Sequence, residues 1–194
     1  MTRYERPYRD RDAYTLELFG EEWTLPVVAV DDDTYVASDA RLVLGTTRFV
    51  ESAAVALADR LADRDPAIDY LVTPEAKSLP LTQALAAELG VEYVVVRKSV
   101  KSYMRDPVSV AADSITTAGE QRLVLDGADA ERLDGARVAL VDDAVSTGGT
   151  MASLDSLIET VDATVAARAA VFAEGREHPA VETLATLPLF VAET

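Results

Sequence analysis

The sequence predicts an α/β fold, a central parallel sheet flanked by helices on both faces. Two observations carry this. Short apolar segments alternate with segments of helical periodicity along most of the 194 residues, and such strand–loop–helix–strand repeats pack as parallel sheets under helices. The chemically unusual residues fall just after the apolar segments, at 74–78, 97–112 and 142–149. In parallel sheets, ligands bind beyond the carboxyl ends of the strands.

The N-terminal part reads as short strands at 14–19, 23–30 and 35–38, the last two separated by the turn residues Asp31, Asp32 and Asp33. After Gly45, Phe49, Val50, Ala53, Ala54, Leu57 and Leu61 recur at three- and four-residue spacing, the pattern of an amphipathic helix. Arg64-Asp65-Pro66 breaks that helix. An apolar strand at 68–73 leads through a loop at 74–78 into a helix at 79–89, which Gly90 caps. A buried strand at 91–96 opens onto a long polar segment at 97–112. Residues 114–117 and 122–125 read as a hairpin across Ala118-Gly119-Glu120. Asp134-Gly135 turns the chain into a strand at 137–141; a helix at 150–161, a strand at 163–173 and a last strand at 187–191 follow.

Composition narrows the function. The length suits one domain, 1–194, and 49% apolar residues can bury a sizeable core. No run of 18 apolar residues suggests a membrane span, and the charged start does not read as a secretory signal, so a cytoplasmic location is expected. With no cysteine and one histidine, His178, the chain lacks the means for disulfides, thiolate zinc sites, a cysteine nucleophile or a multi-histidine metal site. The 34 acidic and 18 basic residues give a net charge of -16, which disfavours nucleic acid as a partner and suits a protein working in strong salt.

Only three lysines occur, Lys77, Lys98 and Lys101. Arg97, Lys98, Lys101 and Arg105 form a cationic island with no acid among them. A local positive loop is what an anionic ligand needs when the global field repels it.

Residues 137–151 run from an apolar strand into Asp142-Asp143, then through Ala144-Val145-Ser146-Thr147-Gly148-Gly149-Thr150 into a helix start. Backbone N–H groups at a helix N-terminus cradle anions, and glycines let the backbone approach a phosphate. No lysine follows the glycines, so this is not a Walker A loop. Two carboxylates beside a phosphate turn suggest a sugar diol. Neighbouring residues of a strand face opposite ways, so both reach one diol only if the backbone leaves the extended form; otherwise one carboxylate serves the turn.

Residues 138–151 closely resemble the phosphoribosyl pyrophosphate signature of type I phosphoribosyltransferases, and the resemblance extends over 68–172. The chain as a whole is similar to the archaeal purine-salvage branch. The resemblance implies that fold, with a core at 45–173 and a small hood from 1–44 and 174–194. Asp142 and Asp143 would then hold the ribose hydroxyls, and Ala144, Val145, Ser146, Thr147, Gly148, Gly149 and Thr150 the 5-phosphate. The segment Thr73-Pro74-Glu75-Ala76-Lys77-Ser78 resembles the family's pyrophosphate loop. That likeness implies pyrophosphate contacts from Ala76, Lys77 and Ser78, and a non-proline cis peptide at Ala76–Lys77. Arg97, Lys98 and Lys101 would close over the leaving group, with Lys98, Lys101 and the aspartates as catalytic residues and Tyr103 as a cap or a hairpin residue.

The resemblance also implies Mg2+, bound through substrate oxygens with Asp142 and Asp143 as its possible protein ligands, and a homodimer as the assembly. Phe172 and Glu174 are the candidates for contact with the base. Gly175-Arg176-Glu177 resembles adenine-type members. Ser146 stands where hypoxanthine–guanine enzymes carry an acid, which places adenine ahead of hypoxanthine; orotate stands well behind, because its carboxylate wants a cation in the base pocket and no unassigned basic residue offers one. Xanthine, orotate or uracil as the base, or a non-catalytic regulator that senses phosphoribosyl pyrophosphate, are the competing readings. Regulators of this kind carry a DNA-binding segment, and the residues before the first core helix show no helix-turn-helix pattern.

Overall fold

The computed structural model describes residues 4–62, 67–112 and 121–192. Four strands come first: β1 (Glu5–Pro7), β2 (Ala13–Leu18), β3 (Glu21–Ala29) and β4 (Thr34–Ala37). Helices α1 (Ala40–Gly45) and α2 (Thr47–Leu61) follow, then β5 (Tyr70–Pro74), α3 (Leu79–Leu89) and β6 (Glu92–Val96). Next are β7 (Val108–Ala112), β8 (Gln121–Leu125), α4 (Gly127–Leu133), β9 (Arg137–Val145) and α5 (Gly149–Glu159). Strands β10 (Thr164–Glu174), β11 (Glu182–Leu187) and β12 (Leu189–Val191) close the described chain.

The central sheet has the order β11-β10-β9-β5-β6, and every pairing in it is parallel. This is the expected α/β architecture. A second five-stranded sheet, β1-β12-β4-β3-β2, joins the first four strands to the last. The C-terminal segment therefore divides: β11 extends the central sheet and β12 the N-terminal one.

Both faces of the central sheet are covered, which is why β9 reads as an unbroken apolar run. Its residues alternate between two cores. Ala139 and Val141 pack with α2, α3 and the N-terminal sheet; Val138 and Leu140 pack with α5. Helix α2 buries Phe49, Val50, Ala53, Ala54, Leu57, Ala58 and Leu61, the stripe expected from the spacing. Removing a fully buried leucine such as Leu57 costs about 2–5 kcal/mol in sites of this kind. Aromatic rings join the two sheets: Trp23 meets Phe49 edge-on at 5.0 Å, and Phe49 stacks on Phe172 at 6.0 Å.

Several local expectations change. Strand β8 pairs with β7, Val110 opposite Leu123, inside the segment read as polar loop. Residues 114–117, expected as its partner, and the break at Arg64-Asp65-Pro66 lie outside the described residues. Helices α1 and α4 were not expected. Each is too short to show periodicity and starts from a capping aspartate, Asp39 accepting from Arg41 N and Asp126 from Ala128 N. Among the described residues, no helix is long and apolar enough to cross a membrane.

Candidate active site

Strands β5, β6 and β9 run parallel, so their carboxyl ends share one edge of the sheet. Val72 lies opposite Leu140, and Pro74 opposite Val96. This register gathers the loop after β5, the start of the basic segment and the aspartate pair around a cleft of about 480 Å³. Glu75, Lys77, Lys98, Asp142, Asp143 and Glu174 are among the side chains that line it.

The aspartates lie within β9, which continues to Val145. They follow opposite faces of the strand, yet both line the cleft because they stand at the open end of the sheet. Asp142 is buried, and its Oδ1 accepts from Asp143 N at 2.9 Å. Burial first, then the neighbouring Asp143, pushes the Asp142 carboxyl up to about 8; the Asp143 amide and Lys77 act against that rise. Asp143 Oδ2 lies 3.1 Å from Lys77 Nζ. Partial burial opposes the charge on Lys77, but Asp143, with Asp142 and Glu174 beyond it, holds its ammonium above the ordinary value. Among the described hydrogen bonds, neither carboxylate is engaged by the turn at 146–149.

The turn itself follows β9 directly. Gly148 adopts a left-handed conformation, φ 90°, and caps the start of α5. Ala144, Ser146 and Thr150 line the cleft, whereas Val145 is 3% exposed and packs in the core. Thr147, Gly148 and Gly149 complete the turn without lining the cleft. Arg176 Nη2 donates to Thr147 O at 2.7 Å, so the segment after β10 braces this turn.

In the loop after β5, Ala76 and Lys77 line the cleft, and the cis peptide is Glu75–Ala76, one bond earlier than expected. Ser78 also borders the cleft, but its hydroxyl is committed inside the loop. It accepts from Thr73 Oγ1 at 2.8 Å and donates to Pro74 O at 3.0 Å.

The basic segment behaves differently from expectation. Lys98 lines the cleft; Arg97 and Lys101 do not. Their partner is Glu75, which sequence reasoning overlooked. Glu75 Oε2 accepts from Arg97 Nη1 at 3.0 Å, and Oε1 accepts from Lys98 N at 2.8 Å and lies 3.4 Å from Lys101 Nζ. Burial would raise the Glu75 carboxyl, but these contacts hold it below the ordinary value. Arg122, from β8, is a second overlooked side chain of the cleft wall. Tyr103 is 60% exposed.

Phe172 is a core residue stacked on Phe49, and it also faces a small recess of about 30 Å³ between the N-terminal sheet and the central one. Leu25, Val43, Leu187 and Glu174 border the same recess. Glu174 lines both recess and cleft; burial, then Asp143, raises its carboxyl above the ordinary value, with Lys77 opposing.

Fold and cleft together are those of an α/β protein whose strand ends carry a glycine turn, an aspartate pair and a lysine-bearing loop. Residues 46–186 match the phosphoribosyl transferase domain family, and the chain belongs to it. "HGPRTase-like protein 3" of Haloterrigena turkmenica is 37% identical over 112 residues, 57% of this chain and 56% of the relative. Hypoxanthine/guanine phosphoribosyltransferase of Methanothermus fervidus is 33% identical over 115 residues, 59% of this chain and 57% of that protein. The matched region thus spans less than two thirds of these relatives' own length. The solved adenine phosphoribosyltransferase of Thermoanaerobacter pseudethanolicus superposes with a TM-score of 0.61 at 26% identity, over 72% of this chain and 81% of that one.

Proposed function

We propose that this chain transfers ribose 5-phosphate from phosphoribosyl pyrophosphate to a purine base, releasing pyrophosphate and a nucleoside 5-monophosphate. The observation that carries the reading is the convergence of Lys77, the Asp142–Asp143 pair and the turn residues Ser146 and Thr150 on one cleft. A phosphate on the turn puts the ribose over the aspartates and the pyrophosphate toward Lys77. The bond from the anomeric carbon to pyrophosphate breaks as a ring nitrogen of the base attacks, and negative charge grows on the leaving group. Lys77 and Lys98 stabilise that charge, so the work is mainly positioning and electrostatics.

The base would lie at the mouth of the recess beside Phe172 and Glu174, with Glu174 as the polar contact; at about 30 Å³ the recess itself must widen to admit a purine ring against Phe172. Mg2+ fits the donors present. It would be held mainly by substrate oxygens and water, and Asp142 and Asp143 are the protein ligands it would take. When bound it would neutralise pyrophosphate charge. The proposal includes a cytoplasmic homodimer working in strong salt. The charge of -16 supports the salt, and the homodimer rests on the family resemblance.

Pyrophosphate release from phosphoribosyl pyrophosphate, measured with a panel of bases in low and molar salt, tests the reading. Release that depends on adenine, hypoxanthine or guanine is the expected result. Release with orotate alone, or with no base of the panel, overturns it.

A further inference from the structure

The basic segment that should meet an anionic leaving group is held by a carboxylate. Glu75 is part-buried in the cleft wall, and both its oxygens are engaged by the segment: Arg97 Nη1 on one, Lys98 N and Lys101 Nζ on the other. The register of the sheet makes this contact. Pro74 pairs with Val96, and Glu75 N donates to Val96 O at 2.9 Å, so the residue after β5 sits beside the residues after β6. Glu75 borders the cleft while Arg97 and Lys101 stand outside its lining.

We propose that Glu75 is a positioning residue that parks Arg97 and Lys101 beside the cleft, and that the pyrophosphate group displaces it as their partner. Glu75 lies in the same loop as Lys77, two residues away. An anion held by Lys77 therefore arrives next to the carboxylate and competes with it for the same two cations. The side chain fixes the root of the segment through Lys98 N when the cleft is empty, and it yields the guanidinium and the ammonium when an anion of higher charge enters. Because a negative group stands in the anion site, ground-state affinity for pyrophosphate is lower than the cations alone would give.

The inference rests on the assignment of this cleft to pyrophosphate, and its test separates the two. Glu75→Gln keeps the shape and an acceptor for Lys98 N but removes the charge. Trypsin cuts after Arg97, Lys98, Lys101 and Arg105, so the cleavage rate there reads how firmly the segment is held. Without ligand, Glu75→Gln is expected to be cut several-fold faster than wild type. It is also expected to bind pyrophosphate several-fold more tightly, by calorimetry, while kcat falls. General damage to the fold would weaken binding and lower kcat together. Unchanged or weaker pyrophosphate binding by Glu75→Gln overturns the proposal. If neither protein binds pyrophosphate, the assignment of the cleft fails, and equal ligand-free cleavage rates would then reject the latch as well. Lys101→Gln, on the opposite side of the pair, serves as a second variant and should also speed cleavage after Arg97 and Lys98.

Discussion

Lys77 Nζ lies 3.1 Å from Asp143 Oδ2, so a single ion pair joins the loop after β5 to the end of β9 across the cleft. Lys77 is 54% exposed at its side chain but Asp143 only 15%, so the pair is partly screened. Lys77→Met should lower the melting temperature only modestly, because Asp142 and Glu174 take up protons once the cation is gone. In the proposed reaction it removes a charge that the leaving group needs, so kcat/KM should fall by about a hundredfold or more. Thermal melts and steady-state kinetics on the same preparation check both halves; a large loss of Tm with intact kinetics would make the pair structural.

Asp142 gives a pH prediction. Its folded-state carboxyl is raised to about 8, whereas the unfolded chain ionises near the ordinary aspartate value. Between those values the folded state holds a proton that the unfolded state has released, so this group costs increasing stability as pH rises. Asp142→Asn, which keeps an acceptor for Asp143 N, should be more stable than wild type, and the gap should widen from pH 5 to pH 8. Melts in the presence of a chelator measure it. A gap that narrows with pH would contradict the buried, proton-holding carboxyl.

The fold was legible where periodicity was long or burial two-sided. Helix α3 and the apolar run of β9 stand where expected, because Leu81 and Leu85 of the helix and Val138–Val141 of the strand have no polar alternative. The dyad and the glycine turn were legible because their spacing is local. The Glu75 contacts were not, since Glu75 and Arg97 are 22 residues apart and meet only through the β5–β6 register. Nor could a pattern show that Ser78 spends its hydroxyl inside its own loop, or that Arg97 and Lys101 meet Glu75 instead of lining the cleft. Strand β7 was hidden in a segment whose polarity reads as loop.

Gly175 offers a test of how the C-terminal segment braces the turn. Its φ is 71°, and an added Cβ would stand 2.5 Å from Leu189 Cδ1. Left-handed backbone costs an ordinary residue about 1–2 kcal/mol. Gly175→Ala should therefore lower Tm by roughly 2–8 °C in a chain of this size. It should also shift Arg176 from Thr147 O and raise KM for phosphoribosyl pyrophosphate. An unchanged Tm would mean that Leu189 and the turn adapt freely.

Salt is a further lever. With a net charge of -16, the chain repels itself and would repel the proposed anionic substrate until ions screen it. Tm should rise from low to molar potassium chloride, and KM should fall over the lower part of that range. A flat Tm across the series would remove the salt setting from the account.

The proposed seat of the ribose in a phosphoribosyl transfer is the aspartate pair. The most direct measurement is purine-dependent pyrophosphate release by wild type and by the double variant Asp142→Asn with Asp143→Asn, each shown to be folded by its melt. The expected result is steady release by wild type and a loss of about a hundredfold or more in the double variant. Equal rates in the two folded proteins would contradict the assignment.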